Sequence, residues 1–149
     1  MITQSEAEHL LNMLKIIKGR NSNNIVLPPL GQEQRLDVES KIYKDENFVI
    51  NINRKGKLKP TKCTYLTLYN KSTILLRLDI DGPAHMNPDG NVIPCPHIHI
   101  YREGFDDKWA FPLENEIKTD TSDLLSVLID FLEYNNIENI PTAFSRTLF

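Results

Sequence analysis

Thr73-Ile74-Leu75-Leu76-Arg77-Leu78-Asp79-Ile80 is the stretch that decides the fold. Ile74, Leu76, Leu78 and Ile80 alternate with Leu75, Arg77 and Asp79. Strand side chains point to opposite faces in turn, so this pattern predicts a strand with one apolar and one mixed face. The same period extends outward in both directions. Leu36, Val38 and, after Ser40, Ile42 alternate with charged residues from Arg35 onward. Phe48, Ile50 and Ile52 alternate with Val49, Asn51 and Asn53, and Lys44 to Asn47 predicts the turn between these two strands. Tyr65, Thr67 and Tyr69 alternate with Leu66 and Leu68 in a strand from Cys63 to Tyr69. Asn70-Lys71 is short enough to join it to Thr73–Ile80 as a hairpin. On the other side, Asp81 to Pro96 is crowded with glycine and proline, which excludes a helix or a central strand. A fifth strand from His97 to Arg102 follows, then a short one around Trp109 to Phe111.

Helical spacing flanks this run. Ala7, Leu10, Leu11, Leu14 and Ile17 share one face of a helix expected from Thr3 to Lys18, with Thr3 and Glu6 as a capping box and Gly19 as a stop. Arg20 to Gln34 reads as a linker that lays Ile25, Val26 and Leu27 on the body. Leu124, Val127, Leu128 and Phe131 mark a second helix from Asp120 to Tyr134, with Asp120 and Asp123 at its N-terminus. Helix, strands, helix is an α+β order: a mostly antiparallel sheet of about five or six strands, with an N-terminal and a C-terminal helix packed on it. The expectation is a single domain over 1–149. It comprises an N-terminal helix and linker (1–34), a sheet (35–113) and a C-terminal helix and tail (114–149). Without β-α alternation or a glycine-rich loop before a helix, a Rossmann or P-loop fold is not expected.

Composition narrows the classes. The chain has 149 residues, 40% of them hydrophobic, and a net charge of −3. That is enough apolar residue for one compact core and too little positive charge for nucleic-acid binding through the whole-molecule field. No apolar run approaches the ~18 residues of a membrane span. Met1 to Gly19 carries Glu6, Glu8 and His9, unlike a signal peptide. Two cysteines, Cys63 and Cys95, are too few for a disulfide scaffold and point to a reduced, cytoplasmic setting.

The chemistry concentrates between residues 77 and 102. His97, Ile98, His99, Ile100 and Tyr101 alternate, so His97, His99 and Tyr101 are expected on one face at spacings of roughly 7 Å, opposite Ile98 and Ile100. His85 lies on the loop that feeds this strand, and Asp79 and Arg77 border the histidines if the strands pair. Such a group suits acid–base chemistry, with Arg77 or Arg102 on a phosphate. Two other readings stay open: a solvated strand face, and a metal site on His85, His97 and His99. The favoured reading uses no metal and no cofactor. A cupin-type metal pattern is not expected, because no histidine follows His99. Arg54, Lys55, Lys57, Lys59 and Lys62 put five cations in nine positions. With Tyr65 and Tyr69 on the next strand they form a candidate nucleic-acid surface, since cations beside aromatic rings suit phosphate contact and base stacking. A solvated surface loop is the alternative.

Arg77-Leu78-Asp79, the loop to His85 and Pro96-His97-Ile98-His99 resemble the TumE-like toxins of toxin–antitoxin systems over about a third of the chain. Gly82-Pro83-Ala84-His85 differs from that family's Asn-Ala-Pro-His, and the middle histidine of its His-His-x-His is absent. Pro96 to Gly104 with Trp109 to Leu113 also resembles a family of small bacterial and prophage proteins without an established activity. The resemblance implies a toxin-like or prophage accessory protein that acts on RNA or is held by a protein antitoxin. The expected activity is metal-independent RNA cleavage by clustered histidines. A non-catalytic binding or inhibitor module, or a small histidine-ligated metal protein, is the alternative, and a homo-oligomer is compatible with each.

Overall fold

The computed structural model describes residues 1–56 and 58–146. Its elements in order are α1 (Gln4–Asn12), β1 (Lys15–Ile17), β2 (Asn24–Leu27), β3 (Glu33–Ser40), β4 (Asn47–Asn53), β5 (Thr64–Tyr69), β6 (Thr73–Asp79), β7 (His85–Met86), β8 (Val92–Ile93), β9 (His97–Ile100), β10 (Ala110–Pro112), α2 (Leu124–Tyr134) and β11 (Ala143–Arg146). Seven strands form one sheet in the order β1-β3-β4-β5-β6-β9-β10, and every neighbouring pair is antiparallel. β2 and β11 form a separate parallel pair, and β7 with β8 forms a small hairpin. No helix among the described residues is long and apolar enough to cross a membrane.

The extra strand comes from the end of the expected first helix. Thr3 caps α1 as a capping box, with its Oγ1 accepting from the Glu6 amide at 3.0 Å and Glu6 Oε1 accepting from the Thr3 amide at 3.4 Å. The helix then stops at Asn12 rather than Lys18. Lys15, Ile16 and Ile17 pair with Ser40, Glu39 and Val38 instead. β-branched Ile16 and Ile17 suit a strand, and the sheet supplies backbone partners that an isolated helical turn lacks. The stretch from residue 20 to 34 is likewise more than a linker, because β2 sends Ile25 and Leu27 into the core. α2 begins at Leu124, where Asp123 accepts from the amides of Leu125 and Ser126; Asp120 closes a preceding turn with Ser122.

One sheet face carries the core. Leu36, Val38, Ile50, Ile52, Tyr65, Leu76, Leu78 and Ile98 join Ala7 and Leu10 of α1 and Val127, Leu128, Phe131 and Leu132 of α2 in one buried cluster. Alternation fails at one place that matters. The register between β5 and β6 shifts after Thr67↔Leu76, so that Leu68 faces Ile74 and Leu75 is an extra residue. Both Leu75 and Leu76 are buried. The Tyr101 amide donates to Leu75 O at 2.9 Å, just past the end of β9. Tyr101 therefore turns into the core, and its hydroxyl donates to Ile2 O at 2.6 Å. The expectation that Tyr101 shares a face with the histidines is corrected by this irregular end of the ladder.

Candidate functional site

The sheet face opposite the core is where the polar residues meet. Antiparallel pairing sets Asp79 against His97 and Arg77 against His99, while Thr64 pairs with Asp79 from the other side. Cross-strand partners share a face, so one ladder brings Thr64, Asp79 and His97 together. Asp79 is the hub. Its Oδ2 is 3.2 Å from His97 Nε2, 3.4 Å from His99 Nε2 and 3.1 Å from Arg77 Nε, and its Oδ1 accepts from Thr64 Oγ1 at 2.8 Å. Burial opposes the charge on Asp79. Close contact with the His97 and His99 ring nitrogens, the hydrogen bond from Thr64 and the Arg77 guanidinium overcome it and hold the carboxyl well below the usual carboxylate range.

The histidines are not on a solvated face. His97 and His99 are buried, with side chains 2% and 7% exposed, because the β7–β8 hairpin and the β9–β10 turn cover them. Each cover also fixes a ring. His97 Nδ1 lies 3.1 Å from Ile93 O of β8, and His99 Nδ1 lies 2.8 Å from Asp107 O. A carbonyl oxygen only accepts, so both Nδ1 atoms carry hydrogen and both Nε2 atoms face Asp79. His85, on β7, donates from Nε2 to Lys108 O at 2.7 Å, and its ring centroid is 4.6 Å from that of His99. Cys95 Sγ approaches His97 at 3.7 Å; burial, with Asp79 and Asp81 nearby, pushes this thiol up to about 11. A cavity of about 360 Å³ opens above the cluster, lined by Arg77, Asp79, His85, His97 and His99 with Lys62 and Lys108. One ligand atom each from Asp79, His97 and His99 lies within 4.8 Å of the other two, a spacing that can hold a metal ion.

The other named residues go elsewhere. The Arg102 guanidinium stacks 4.7 Å from the Trp109 ring centroid, away from the cavity. Arg54 donates to Pro28 O and Pro60 O, which ties down its own loop. Lys55 pairs with Glu33 at 3.0 Å and Lys59 with Asp81 at 2.9 Å. Lys57 lies outside the described residues. Tyr65 is fully buried with its hydroxyl on Leu124 O, and Tyr69 packs against Phe48. A ring inside the core cannot stack on a base, so Tyr65 is closed to that role; among the described residues of that set, Lys62 lines the cavity. Sequence reasoning missed Thr64, the carbonyls of Ile93, Asp107 and Lys108, and Asn87. The Asn87 side chain bonds both the N–H and the C=O of Ala110, which pins the covering hairpin to the sheet. Backbone acceptors leave no trace in residue type, and Asn87 in Asn-Pro-Asp-Gly reads as an ordinary turn residue.

Fold and site together define an α+β protein with a buried His–Asp cluster at the floor of a polar cavity. The chain belongs to a family of unknown function (DUF6978), whose model matches residues 2–137. Neither the curated proteins nor the solved structures contain a match to it.

Proposed function

We propose that Asp79, His97 and His99 bind one divalent transition-metal ion, and that the chain is a metal-dependent enzyme acting on a small ligand in the adjacent cavity. The observation that carries this is the use of the ring nitrogens. Both Nδ1–H groups are taken by backbone carbonyls, so neutral rings would aim two Nε2 lone pairs at one carboxylate oxygen. Three acceptors facing one another are stable only with protons or a cation between them. Protons would make two buried imidazolium rings with centroids 4.9 Å apart, which repel. A single cation satisfies all three atoms. Backbone carbonyls on the far nitrogens are the outer contacts that orient metal-bound histidines. In a tetrahedral site with bonds of about 2.0–2.1 Å, ligand atoms lie about 3.3 Å apart, close to the two His–Asp distances.

Three protein ligands facing a cavity leave a coordination position for water, the arrangement of catalytic zinc sites. Bound zinc lowers the pKa of its water toward neutrality. His85 spends one nitrogen on Lys108 O and keeps the other as a proton acceptor beside His99. The test is metal content. Protein purified without chelator, or dialysed against zinc, is expected to hold about one ion per chain, and His97→Ala and Asp79→Ala to hold none. Zinc-free wild type after dialysis overturns the reading.

The contact lengths favour one alternative, since 3.2 and 3.4 Å are also distances for charged hydrogen bonds. Protonated His97 and His99 would then serve a metal-free, toxin-like ribonuclease. That reading expects slowed growth on expression, relief by His99→Ala, and unchanged RNA cleavage after exhaustive chelation.

A further inference from the structure

We infer that the cavity binds a compact phosphate monoester group, held jointly by the metal and by Arg77, Lys62 and Lys108. The inference rests on the metal reading above and adds the class of ligand. Without an ion, the cavity lining carries three cations, Lys62, Arg77 and Lys108, against three carboxylates, Asp79, Asp81 and Asp107. The carboxylates are not equally available. Asp79 faces the two histidines, and Asp81 is neutralised by Lys59 at 2.9 Å with a further hydrogen bond from Thr61. The cations are less engaged. Arg77 uses Nε on Asp79, and its two terminal nitrogens have no partner among the described residues. Lys62 and Lys108 pair with no carboxylate among the described residues, and the Lys62 ammonium lies over Gly82, 3.7 Å from where a Cβ there would stand. A divalent ion on Asp79, His97 and His99 therefore turns a balanced cavity into a positive one. A tetrahedral dianion satisfies the open metal position, the planar guanidinium and the ammonium groups together.

The same charges argue against a polynucleotide. Binding a strand needs a track of several phosphate contacts. Here Arg54, Lys55 and Lys59, described cations of the basic loop, are committed to carbonyls or carboxylates, so they add no open cation to Lys62. The net charge of the chain, −3, also disfavours a polyanion. The cavity volume, about 360 Å³, is at the small end of ligand sites.

Calorimetric titration with inorganic phosphate tests this, using zinc-loaded protein, the same protein after chelation, and zinc-loaded Lys62→Ala and Lys62→Arg. Zinc content is measured on each sample first. Phosphate is expected to bind the zinc form and to lose about tenfold in affinity in Lys62→Ala, the scale of one charge-assisted hydrogen bond, with zinc content unchanged and partial recovery in Lys62→Arg. Zinc retained with no phosphate binding, or equal affinity before and after chelation, overturns the ligand while leaving the metal. Absence of zinc overturns both. A single-stranded oligoribonucleotide that binds more tightly than phosphate, with a steep salt dependence, overturns the compact ligand in favour of a polymer.

Discussion

Lys15 shows how one residue joins the distant parts of this fold. Its side chain is fully buried, and the ammonium donates to Leu11 O at 2.9 Å, Met13 O at 3.0 Å and Asn135 O at 2.9 Å. These carbonyls close the C-terminal ends of α1 and α2, where the helix dipoles favour a cation. The Phe48 ring lies 5.1 Å below. Lys15→Met keeps the stem but orphans three buried carbonyls, and is expected to destabilise the chain by about 2–4 kcal/mol in urea unfolding. Burial also lowers the Lys15 ammonium from 10.5 to about 8. A lysine lowered in the folded state loses its proton there first, so between those two values the unfolded chain binds more protons. The contribution of Lys15 therefore rises with pH across that window and is flat below it. Buried Cys63, raised to about 11, works in the opposite direction at higher pH, so the readout is the difference between wild type and Lys15→Met at each pH. A difference that does not grow from pH 8 to 10 contradicts the assignment.

The two edges of the large sheet are closed in the same way by elements far apart in sequence. At one edge, Asn139 Oδ1 accepts from the Ile17 amide at 2.7 Å and its Nδ2 donates to Ile17 O at 2.9 Å. At the other, Asn87 does the same for Ala110, at 2.8 and 2.9 Å. Each carboxamide stands in for a paired strand residue and removes an open edge. The consequences differ because only Asn87 anchors the hairpin that orients His97. Asn87→Ala is expected to cost about 1–3 kcal/mol, to speed amide exchange at Ala110 and to weaken zinc retention. Asn139→Ala is expected to act at Ile17 and leave zinc content unchanged. Equal zinc loss in both variants would mean that general loosening, not the hairpin, controls the site. Much at this scale was legible in sequence. Alternation from Arg35 to Ile80 located the strands, and the His-x-His spacing placed both rings on one face. The bulge was not legible. Continuing Tyr69↔Thr73 without it would set Leu78 against Thr64, whereas the extra residue sets Asp79 there. Leu75 and Leu76 are both apolar, so nothing in residue type marks the slip. The end of α1 was misread for a related reason: Leu14 and Ile17 fit a helical stripe, and only the partner strand shows that Ile17 reaches the core from a sheet.

At the scale of the whole molecule, the proposed metal centre lies where sequence-distant segments converge. Asp79 comes from β6, His97 and His99 from β9, and the rings are oriented by Ile93 and by Asp107 in the turn before β10. α1 is tied to that turn, since Gln4 exchanges hydrogen bonds with Glu103. An ion held by β6 and β9 therefore needs the centre of the sheet to be folded, and an unfolded chain cannot present the three ligands together. A ligand that binds only the folded state stabilises it by about 2.7 kcal/mol when present at 100 times its dissociation constant. For a chain of this size that corresponds to a rise of about 5–10 °C in the melting midpoint. Wild-type protein is expected to show that rise on adding zinc, and to return to the lower midpoint with excess chelator. His99→Ala should melt at one temperature under both conditions. Lys62→Ala, which leaves the three ligands in place, should keep the full zinc shift. If zinc raises the midpoint of His99→Ala as much as that of wild type, the stabilising ion binds elsewhere, and the cluster beneath the β7–β8 hairpin holds its three side chains together by protons alone.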